Sequence, residues 1–550
     1  SSQIQFGPHT TGGVINYQTK DPEQGAKVTA KVGSHGYRLL GLDAGGTAAS
    51  GDALGGISLV KAEGNGFRHN GFDMTDLVAK GGMAIGDKQW IGVKFSHYDN
   101  EINTSYVGLR PNEFRDDPTK NPAPNDYFLT DRNSFDINHE WQINDAVKLN
   151  TLLYWSQLTR DYWRREVQAR SADGTTFVPC DGSAYCMNGN NRAFEMMGLD
   201  SRLHITHNGF GIKNEAEIGI RLHSDKLNNL KVRSKTDPNA RSGDLTTDDT
   251  QEAQGIAFYG QNRFILNERV AVTPGLRIET YDQSRKDELT GLSGESSNTE
   301  VMPGIGATWQ LAPQAQLFAG AFKGFSPAMV ATAISGSGVD QQLDAERSNN
   351  FEIGVRGTAQ RLSYEATAFH MDFSNQIIPQ SESGGIGATV TNAGATLNQG
   401  LEGAIGYDLG AGWGVDANAT WVPTAKFSST KIVGGIDRNG NRLPYAPELT
   451  SNLSLKHTTG GLKSSLGIYH VSSQFVDPEN TKAESADGRR GKIPAYTTVN
   501  LNAHYAVDKQ LSVFGTVRNL LDKKYIASRN PDGIFPGAER NFEVGMSYKF

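Results

Sequence analysis

Long apolar runs are missing from this chain. No stretch reaches the ~18 apolar residues that a transmembrane helix needs, and hydrophobic residues make up only 37% of 550 positions, which is little for a large soluble core. The net charge of −7 argues against general nucleic-acid binding, because that requires a basic face. Nucleophile–base sets, Walker loops and dinucleotide fingerprints are also absent, so no enzyme class is indicated.

Glycine and period-2 alternation are abundant instead. Glycine occupies 63 positions, above the usual share of roughly 7%. From Ile212 to Leu222, apolar side chains alternate with charged ones, and the segment from Phe542 to Phe550 repeats this pattern. Such strands face lipid on one side and water on the other. Since lipid offers no hydrogen bonds to a free sheet edge, the sheet is expected to close.

Tight turns give the strand count. Consecutive turns are separated by roughly 35 to 65 residues, which fits two strands and a longer polar loop. Ten short turns and both chain ends on one side predict an all-β, transmembrane antiparallel β-barrel of about 22 strands, with short periplasmic turns and long extracellular loops. The predicted turns are Ser50-Gly51-Asp52, Gly86-Asp87-Lys88, Asn144-Asp145, Asn208-Gly209, Asn267-Glu268, Ala312-Pro313, Thr358-Ala359, Gly410-Ala411-Gly412, Gly460-Gly461 and Val507-Asp508-Lys509.

The first residues depart from the barrel pattern. The segment from Phe6 to Tyr17 is rich in glycine and is expected to end in a short strand. Lys20-Asp21-Pro22 is interpreted as a linker into a first barrel strand near Ala26. We therefore divide the chain into residues 1–22 and a barrel over residues 23–550.

Three stretches resemble TonB-dependent outer-membrane receptors. Their order and spacing cover almost the whole chain. They are Gly7-Pro8 through Gly12-Gly13-Val14-Ile15-Asn16; Leu343 through Gly354 with Phe373-Ser374-Asn375-Gln376-Ile377; and Asn519-Leu520-Leu521-Asp522-Lys523-Lys524-Tyr525 with Pro536-Gly537, Arg540 and the terminal Phe550. The resemblance implies that residues 1–22 are the C-terminal remnant of a plug domain and its linker. It also implies that most of the plug, including the segment that engages TonB, is not among these residues.

Within that family the chain resembles ferric dicitrate receptors most. The resemblance lies in the tract from Tyr154 to Arg160, in Ser472-Ser473-Gln474-Phe475, and in Glu484-Ser485-Ala486-Asp487-Gly488 with Ile493-Pro494. It implies ligand contacts at Arg160, at Arg192 and at Gln380 or its neighbour Ser381. A further arginine of the family, expected just before Glu252, is not matched. Thr247 stands there, and Arg241 is the nearest substitute.

Residues around Arg160 suit an anionic ligand. Tyr162 and Trp163 offer rigid contact area, and the guanidinium groups of Arg164, Arg165 and Arg170 match carboxylates bidentately. The alternative is that these arginines contact lipopolysaccharide phosphates or pair with loop acids. For the next cationic stretch a solvated loop is favoured; its members are Lys226, Lys231, Arg233, Lys235 and Arg241.

The only two cysteines, Cys180 and Cys186, lie in the same arginine-rich region. The cell surface and the periplasm are oxidising, so a disulfide is expected, which would stiffen the loop. Metal capture by the two thiolates is the weaker reading, because no histidine or second cysteine pair stands at zinc spacing.

The resemblance implies a TonB-dependent importer in the outer membrane of a Gram-negative bacterium, and not an enzyme. Its ligand would be ferric dicitrate or a related carboxylate siderophore, taken up by loop closure and plug displacement. No cofactor is expected, since iron arrives as a chelate. Expected partners are TonB with its inner-membrane energising complex and lipopolysaccharide; nucleic acid is not expected, and a monomer is. The alternatives are a receptor for another siderophore, haem, cobalamin or another metal chelate, and a passive porin-like channel.

Overall fold

Antiparallel strands joined by alternating short and long connections make up nearly all of the computed structural model. It describes residues 2–8, 10–165, 186–235, 237, 239–340, 345–375, 377–378, 391–392, 394–428 and 437–550. Its strands are β1 (Gly25–Gly33), β2 (Arg38–Thr47), β3 (Ala53–Gly64), β4 (Phe72–Ile85), β5 (Gln89–Ile102), β6 (Tyr127–Asn144), β7 (Val147–Arg165), β8 (Met187–Gly209), β9 (Ile212–Ser234), β10 (Asp244–Ile265), β11 (Val270–Asp287), β12 (Ser293–Ala312), β13 (Ala315–Ser326), β14 (Glu346–Ala359), β15 (Leu362–Ser374), β16 (Ile377–Ile378), β17 (Thr391–Asn392), β18 (Thr396–Gly410), β19 (Trp413–Phe427), β20 (Leu449–Thr459), β21 (Leu462–Val471), β22 (Tyr496–Ala506), β23 (Leu511–Arg518), β24 (Ile526–Ser528), β25 (Phe535–Pro536) and β26 (Asn541–Lys549).

Twenty-two of these strands form one closed sheet, which confirms the predicted barrel. Each strand pairs with its neighbours along the chain, and β1 pairs with both β2 and β26, so that no edge remains open. The four short strands β16, β17, β24 and β25 pair separately in the loops. Short helices complete the described residues: 3-10 turns at Ser2–Gln5 and Ser34–Gly36, α1 at Pro111–Asp116 and α2 at Val330–Ala333. None of these described helices is long and apolar enough to cross a membrane.

The two faces of the barrel wall differ as the alternation predicts. On β9, Ile218 and Leu222 point outward and are 56% and 40% exposed, whereas Arg221 points inward and donates to the Phe6 carbonyl in the lumen at 3.2 Å. On β26, Phe542, Val544, Met546 and Tyr548 all lie on the exposed face. An apolar band around the outside and a polar interior are typical of a barrel in contact with lipid.

Ten short turns join the strands at one end, as predicted, but two of them lie two residues further along. Asn208 and Gly209 remain in β8, paired with Lys213 and Ile212. The turn itself is Phe210-Gly211, where both residues have positive φ (56° and 76°), the geometry of a type I′ hairpin turn. Likewise Thr358-Ala359 is still paired in β14. That turn is Gln360-Arg361, in which Gln360 has a positive φ of 52° although it is not a glycine.

The first residues thread into the lumen. The Ile4 side chain is 5% exposed, and it packs where Gly275 and Gly304 carry no side chain. Arg277 donates to the Ile4 carbonyl at 3.3 Å. The predicted short strand at the end of this segment is wrong: no strand is assigned between residues 6 and 24 of the described part. A strand needs a hydrogen-bonded neighbour, and here Ile15 and Tyr17 are 80% and 89% exposed.

At the end opposite the ten turns, four loops pack together into what we call the cap, residues 103–126, 437–448, 472–495 and 519–540. The cap has its own apolar core, in which Leu109, Val476, Ile493 and Ile534 are fully buried and Ile526 nearly so. A backbone bridge joins Leu109 to Ile534 across two loops, and another joins Gln474 to Ile493 within the loop of residues 472–495. The cap therefore holds one side of the barrel mouth in a fixed shape.

Candidate functional site

Arg160 and Arg192 lie directly opposite each other. Arg160 on β7 is the register partner of Arg192 on β8, and the same row continues to Asn229 on β9 and Asp249 on β10. Both arginines share the inward face, because Tyr154, six residues before Arg160, contacts the lumen-facing Arg221. The two sequence-predicted arginines are thus brought together on the lumen wall.

This row stands beyond the apolar band. Arg160 lies 13 residues after the first residue of β7, Val147, which at ~3.3 Å per residue and a strand tilt of about 40° is a height of roughly 33 Å. The apolar band of such barrels is about 25 Å tall. Outward neighbours of Arg160 are polar there, namely Gln157, Thr159 and Asp161. The row therefore belongs to the mouth of the barrel.

Arg160 is enclosed by aromatic rings and lacks a carboxylate partner among the described residues. Its guanidinium carbon lies 5.7 Å from the ring centre of Phe128 and 5.8 Å from that of Phe194. Its Nε is buried with no hydrogen-bond acceptor in the part of the chain that the structure describes. Burial, and then the charge of Arg192, lower the pKa of Arg160. Like charges directly opposite in a sheet destabilise it, so the pair favours an anion between them.

Arg192 is held in place by a chain of hydrogen bonds. Its Nε donates to Asn229 Oδ1 at 2.9 Å, and Asn229 Nδ2 donates to Asp249 Oδ2 at 2.9 Å. Asp249 also accepts from Gln251 at 2.6 Å and from Arg285 Nη2 at 3.2 Å. The Asp249 carboxylate is 1% exposed and has its charge satisfied by these donors. The terminal nitrogens of Arg192 make no hydrogen bond to the described residues, so a ligand can bind them.

Tyr162 and Arg164 follow Arg160 at every second position of β7, so they lie on the same inward face and further out along the strand. The Tyr162 ring lies 5.4 Å from Phe128 and 6.2 Å from Tyr106. Its hydroxyl donates to the Thr104 carbonyl at 3.3 Å. Arg164 stacks on the Tyr106 ring at 3.9 Å. Tyr162 therefore lies on the same face as the two arginines and connects them to the loop of residues 103–126; its predicted contact with the ligand stays a prediction.

Trp163 does not belong to this group. It is adjacent to Tyr162 on a strand, so it points to the opposite, outer face. There it is 3% exposed, packed with its register partner Tyr127 and with Arg241, whose guanidinium carbon lies 5.9 Å from the Trp163 ring and 4.9 Å from that of Tyr127. The prediction that Trp163 contacts the ligand beside Arg160 disagrees with this placement. Arg241 is likewise excluded as a lumen substitute for the unmatched arginine.

Several predicted residues lie outside the described part of the chain. These are Gln380, Ser381, Arg170 and Cys180. Cys186 is described; it is 3% exposed and disulfide-bonded. The predicted contacts of Gln380 and Ser381, and the pairing of Cys186 with Cys180, stay predictions.

Three members of the site were missed from the sequence: Asp249, Arg285 and Lys231. Lys231 was assigned to a solvated loop, but it lies on β9, which extends to Ser234. Its register partner is Thr247, the residue that stands where the family arginine is expected. Alternating polar residues at 221, 223, 225, 229, 231 and 233 could have revealed this strand. We call Arg160, Arg164, Arg192, Lys231 and Arg285 the cationic wall. No group of three or more metal-ligating side chains occurs in the described residues.

Comparison with known proteins gives a consistent result. A family model described as "TonB dependent receptor-like, beta-barrel" matches residues 69–520. The crystal structure of the ferric citrate transporter FecA in the unliganded form superposes with a TM-score of 0.87 at 22% identity, covering 100% of this chain and 82% of that one. The ferric yersiniabactin uptake receptor FyuA from Yersinia pestis gives a TM-score of 0.77 at 17% identity, covering 99% and 84%. At these identities the likeness shows the fold.

Curated relatives match over shorter segments. The metal-pseudopaline receptor CntO of Pseudomonas aeruginosa (strain UCBPP-PA14) is 24% identical over 317 residues, 54% of this chain and 41% of its own length. The ferric-pyoverdine BN7/BN8 receptor of Pseudomonas putida is 23% identical over 336 residues, 59% and 38%. The matches thus span about two-fifths of these relatives' length. All four of these proteins are transporters or receptors by name, and none is an enzyme.

Proposed function

The chain belongs to the TonB dependent receptor-like, beta-barrel family, and we propose that it is the barrel of an outer-membrane receptor that imports an anionic ferric chelate, with ferric dicitrate as the favoured ligand. The observation that carries the proposal is the pair Arg160 and Arg192, register partners in the barrel mouth with no carboxylate partner among the described residues. Two guanidinium groups held side by side without a carboxylate partner among the described residues form a binding site for carboxylates.

The ligand class follows from the donor set. Guanidinium groups bind carboxylates bidentately, and a ferric citrate chelate carries several of them. Phe128 and Phe194 hold Arg160 on both sides, which restricts its rotamers and lowers the entropy cost of binding. FecA, a ferric citrate transporter by name, has the same fold over the whole of this chain. This likeness supports citrate over other chelates.

Membrane location and energy coupling complete the proposal. A closed barrel with exposed apolar residues such as Ile218, Phe258 and Met546 outside suits an outer membrane. Residues 1–22 would be the end of a plug domain, since Arg221 and Arg277 already hold their carbonyl oxygens inside the lumen. TonB, with its inner-membrane energising complex, would act on the rest of that plug, and loops would close over the chelate. Lipopolysaccharide would surround the outer face.

A receptor for another chelate is the second candidate. CntO and the pyoverdine receptor bind, by their names, metal-pseudopaline and ferric-pyoverdine, and these relatives match the barrel as well. A passive channel is less favoured, because the N-terminal segment occupies the lumen of this barrel.

The test is binding and uptake of ferric dicitrate by the full-length protein, wild type against Arg160→Ala/Arg192→Ala. Each lost charge-assisted hydrogen bond is worth about 1.5–3 kcal/mol, so the double variant is expected to lose roughly a hundredfold or more in affinity. The matched control is Arg263→Ala/Arg356→Ala, which removes two cations that already have partners near the short-turn end.

The outcomes separate the parts of the proposal. Unchanged affinity in the double variant overturns the assignment of Arg160 and Arg192 to the binding site. Wild-type binding of a catecholate or hydroxamate chelate in place of ferric dicitrate overturns the choice of ligand. A wild type that binds no ferric chelate overturns the receptor function.

A further inference from the structure

Within the cationic wall, Lys231 stands on β9, the strand next to the one that carries Arg192. It stands two residues after Asn229 on β9, on the same inward face, and is diagonal to Arg192 across the β8–β9 pair. Diagonal neighbours are about 7–8 Å apart at Cα, within reach of long side chains. Its own register partners, Asn190 and Thr247, are uncharged. The ammonium group therefore adjoins Arg192 with no acid directly beside it in the sheet.

Lys231 is also accessible and unneutralised. Its side chain is exposed to the lumen, and no ion pair or side-chain hydrogen bond joins its Nζ to any residue that the structure describes. Asp249, the acid of this region, is turned toward Asn229, Gln251 and Arg285. By contrast Lys226, on the outer face of the same strand, pairs with Glu252 at 3.1 Å. A lysine without an ion pair is costly beside Arg160 and Arg192, neither of which has a carboxylate partner among the described residues, unless an anion binds there.

We propose that Lys231 is a third ligand-contacting cation, which binds an anionic group of the chelate that Arg160 and Arg192 do not reach. This inference rests on the proposed function and sharpens its substrate class. A ligand that satisfies all three cations carries at least three negative groups, spaced across β7 to β9. Polycarboxylate chelates have that character, whereas a chelate with one or two anionic groups leaves Lys231 unused.

A lysine at this position couples binding to a proton. The enclosing wall and then the charge of Arg192 lower the pKa of Lys231; Asp249 opposes them, and Arg285 and Arg164 add to the lowering. A bound anion favours the charged amine and so raises that pKa again. Ligand binding is therefore accompanied by uptake of a proton at Lys231. The affinity for the ligand falls as pH rises through the pKa of Lys231 in the free receptor. An arginine in place of Lys231 stays charged and removes this dependence.

The experiment measures the affinity of the full-length protein in detergent for ferric dicitrate, in wild type, Lys231→Met, Lys231→Arg and Lys226→Met. Lys231→Met is expected to lose roughly tenfold or more, and Lys231→Arg to keep near wild-type affinity. Lys226→Met removes the same charge from the outer face of the same strand and is expected to change nothing. Thermal unfolding of each variant checks that the barrel is intact.

A pH series from neutral pH up to the ordinary lysine pKa of about 10.4 supplies the second readout. The affinity ratio of Lys231→Arg to wild type is expected to rise with pH, and changes in the chelate itself cancel in that ratio. Wild-type affinity in folded Lys231→Met overturns the inference while leaving Arg160 and Arg192 in place. Loss of binding in Lys226→Met as well shows a general charge effect and also overturns it. If wild type binds no ferric chelate, the inference falls with the proposed function.

Discussion

The cap and the Arg160–Arg192 pair of the cationic wall use arginine in opposite ways. In the cap, Arg529 is 2% exposed by its side chain, and its terminal nitrogens donate to Glu484 Oε2 at 2.8 Å and to the Gly488 carbonyl at 2.9 Å. In the wall, Arg160 is half-buried between aromatic rings and faces another arginine. A partnered arginine stabilises the loops around it. An unpartnered one is held at a cost in stability, which a ligand can offset.

The largest expected effect is in the cap. Arg529→Ala removes the buried partner of an ion pair and leaves Glu484 Oε2 and the Gly488 carbonyl without that donor, which costs about 3 kcal/mol of local stability. Hydrogen exchange over residues 484–493 measures it. Arg115→Ala is the matched control, because Arg115 approaches the same Glu484 at 3.3 Å but is 65% exposed; its loss is expected to stay below about 1 kcal/mol. Equal exchange in the two variants would show that the buried Arg529 does not stabilise the cap more than an exposed arginine does.

How far the sequence predicts these two regions differs for a physical reason. The barrel follows from local rules: alternation of two residues and glycine-rich turns set the faces and the number of strands. Arg160 and Arg192 were found through the resemblance to ferric dicitrate receptors, and the register of β7 with β8 places them opposite each other. In Phe210-Gly211 the same rules were ambiguous by two residues, and the tertiary pairing of β8 with β9 decided the outcome.

Lys231, Asp249 and Arg285 were missed because their roles depend on register between strands. Lys231 and Arg192 are far apart in sequence, and only the pairing of β8 with β9 makes them neighbours. Trp163 was misplaced for a related reason: proximity in sequence suggested a shared site, but adjacent residues on a strand face opposite ways. The cap core was not predicted either, since Leu109, Val476 and Ile534 come from three separate loops.

Asp126 lies between the two regions, and it is expected to make their junction sensitive to pH. It is 1% exposed and accepts the Arg165 amide at 2.8 Å. Burial raises the pKa of Asp126 to about 6 from its usual 3.8. The folded form thus binds the proton more tightly than the unfolded one, so stability is lost as pH rises from about 4 to about 6, by at most about 3 kcal/mol.

Asp126→Asn tests this, because the amide cannot ionise but can still accept the Arg165 N–H. Unfolding in detergent is measured across that pH range, and the difference between wild type and variant cancels other titrations. The variant is expected to gain stability relative to wild type as pH rises, with no further gain above about pH 6. A flat difference would show that the carboxyl titrates normally in the folded protein.

The smallest expected effect is that of Arg160→Met, and it separates Arg160 from the cap arginine Arg529 most clearly. The substitution is expected to raise the stability of the free protein and to lower its affinity for the chelate. Arg160→Met keeps apolar contact with Phe128 and Phe194 but removes the repulsion from Arg192. Like-charge pairs in a sheet cost about 0.2–1 kcal/mol, so without ligand the variant is expected to unfold at a slightly higher temperature. The gain should shrink at high salt, which screens the pair, while affinity for the chelate falls. Arg529→Met in the cap is expected to lose stability at every salt concentration. If Arg160→Met also destabilises the free protein, then Arg160 has a structural partner, and the wall is not held in readiness for an anion.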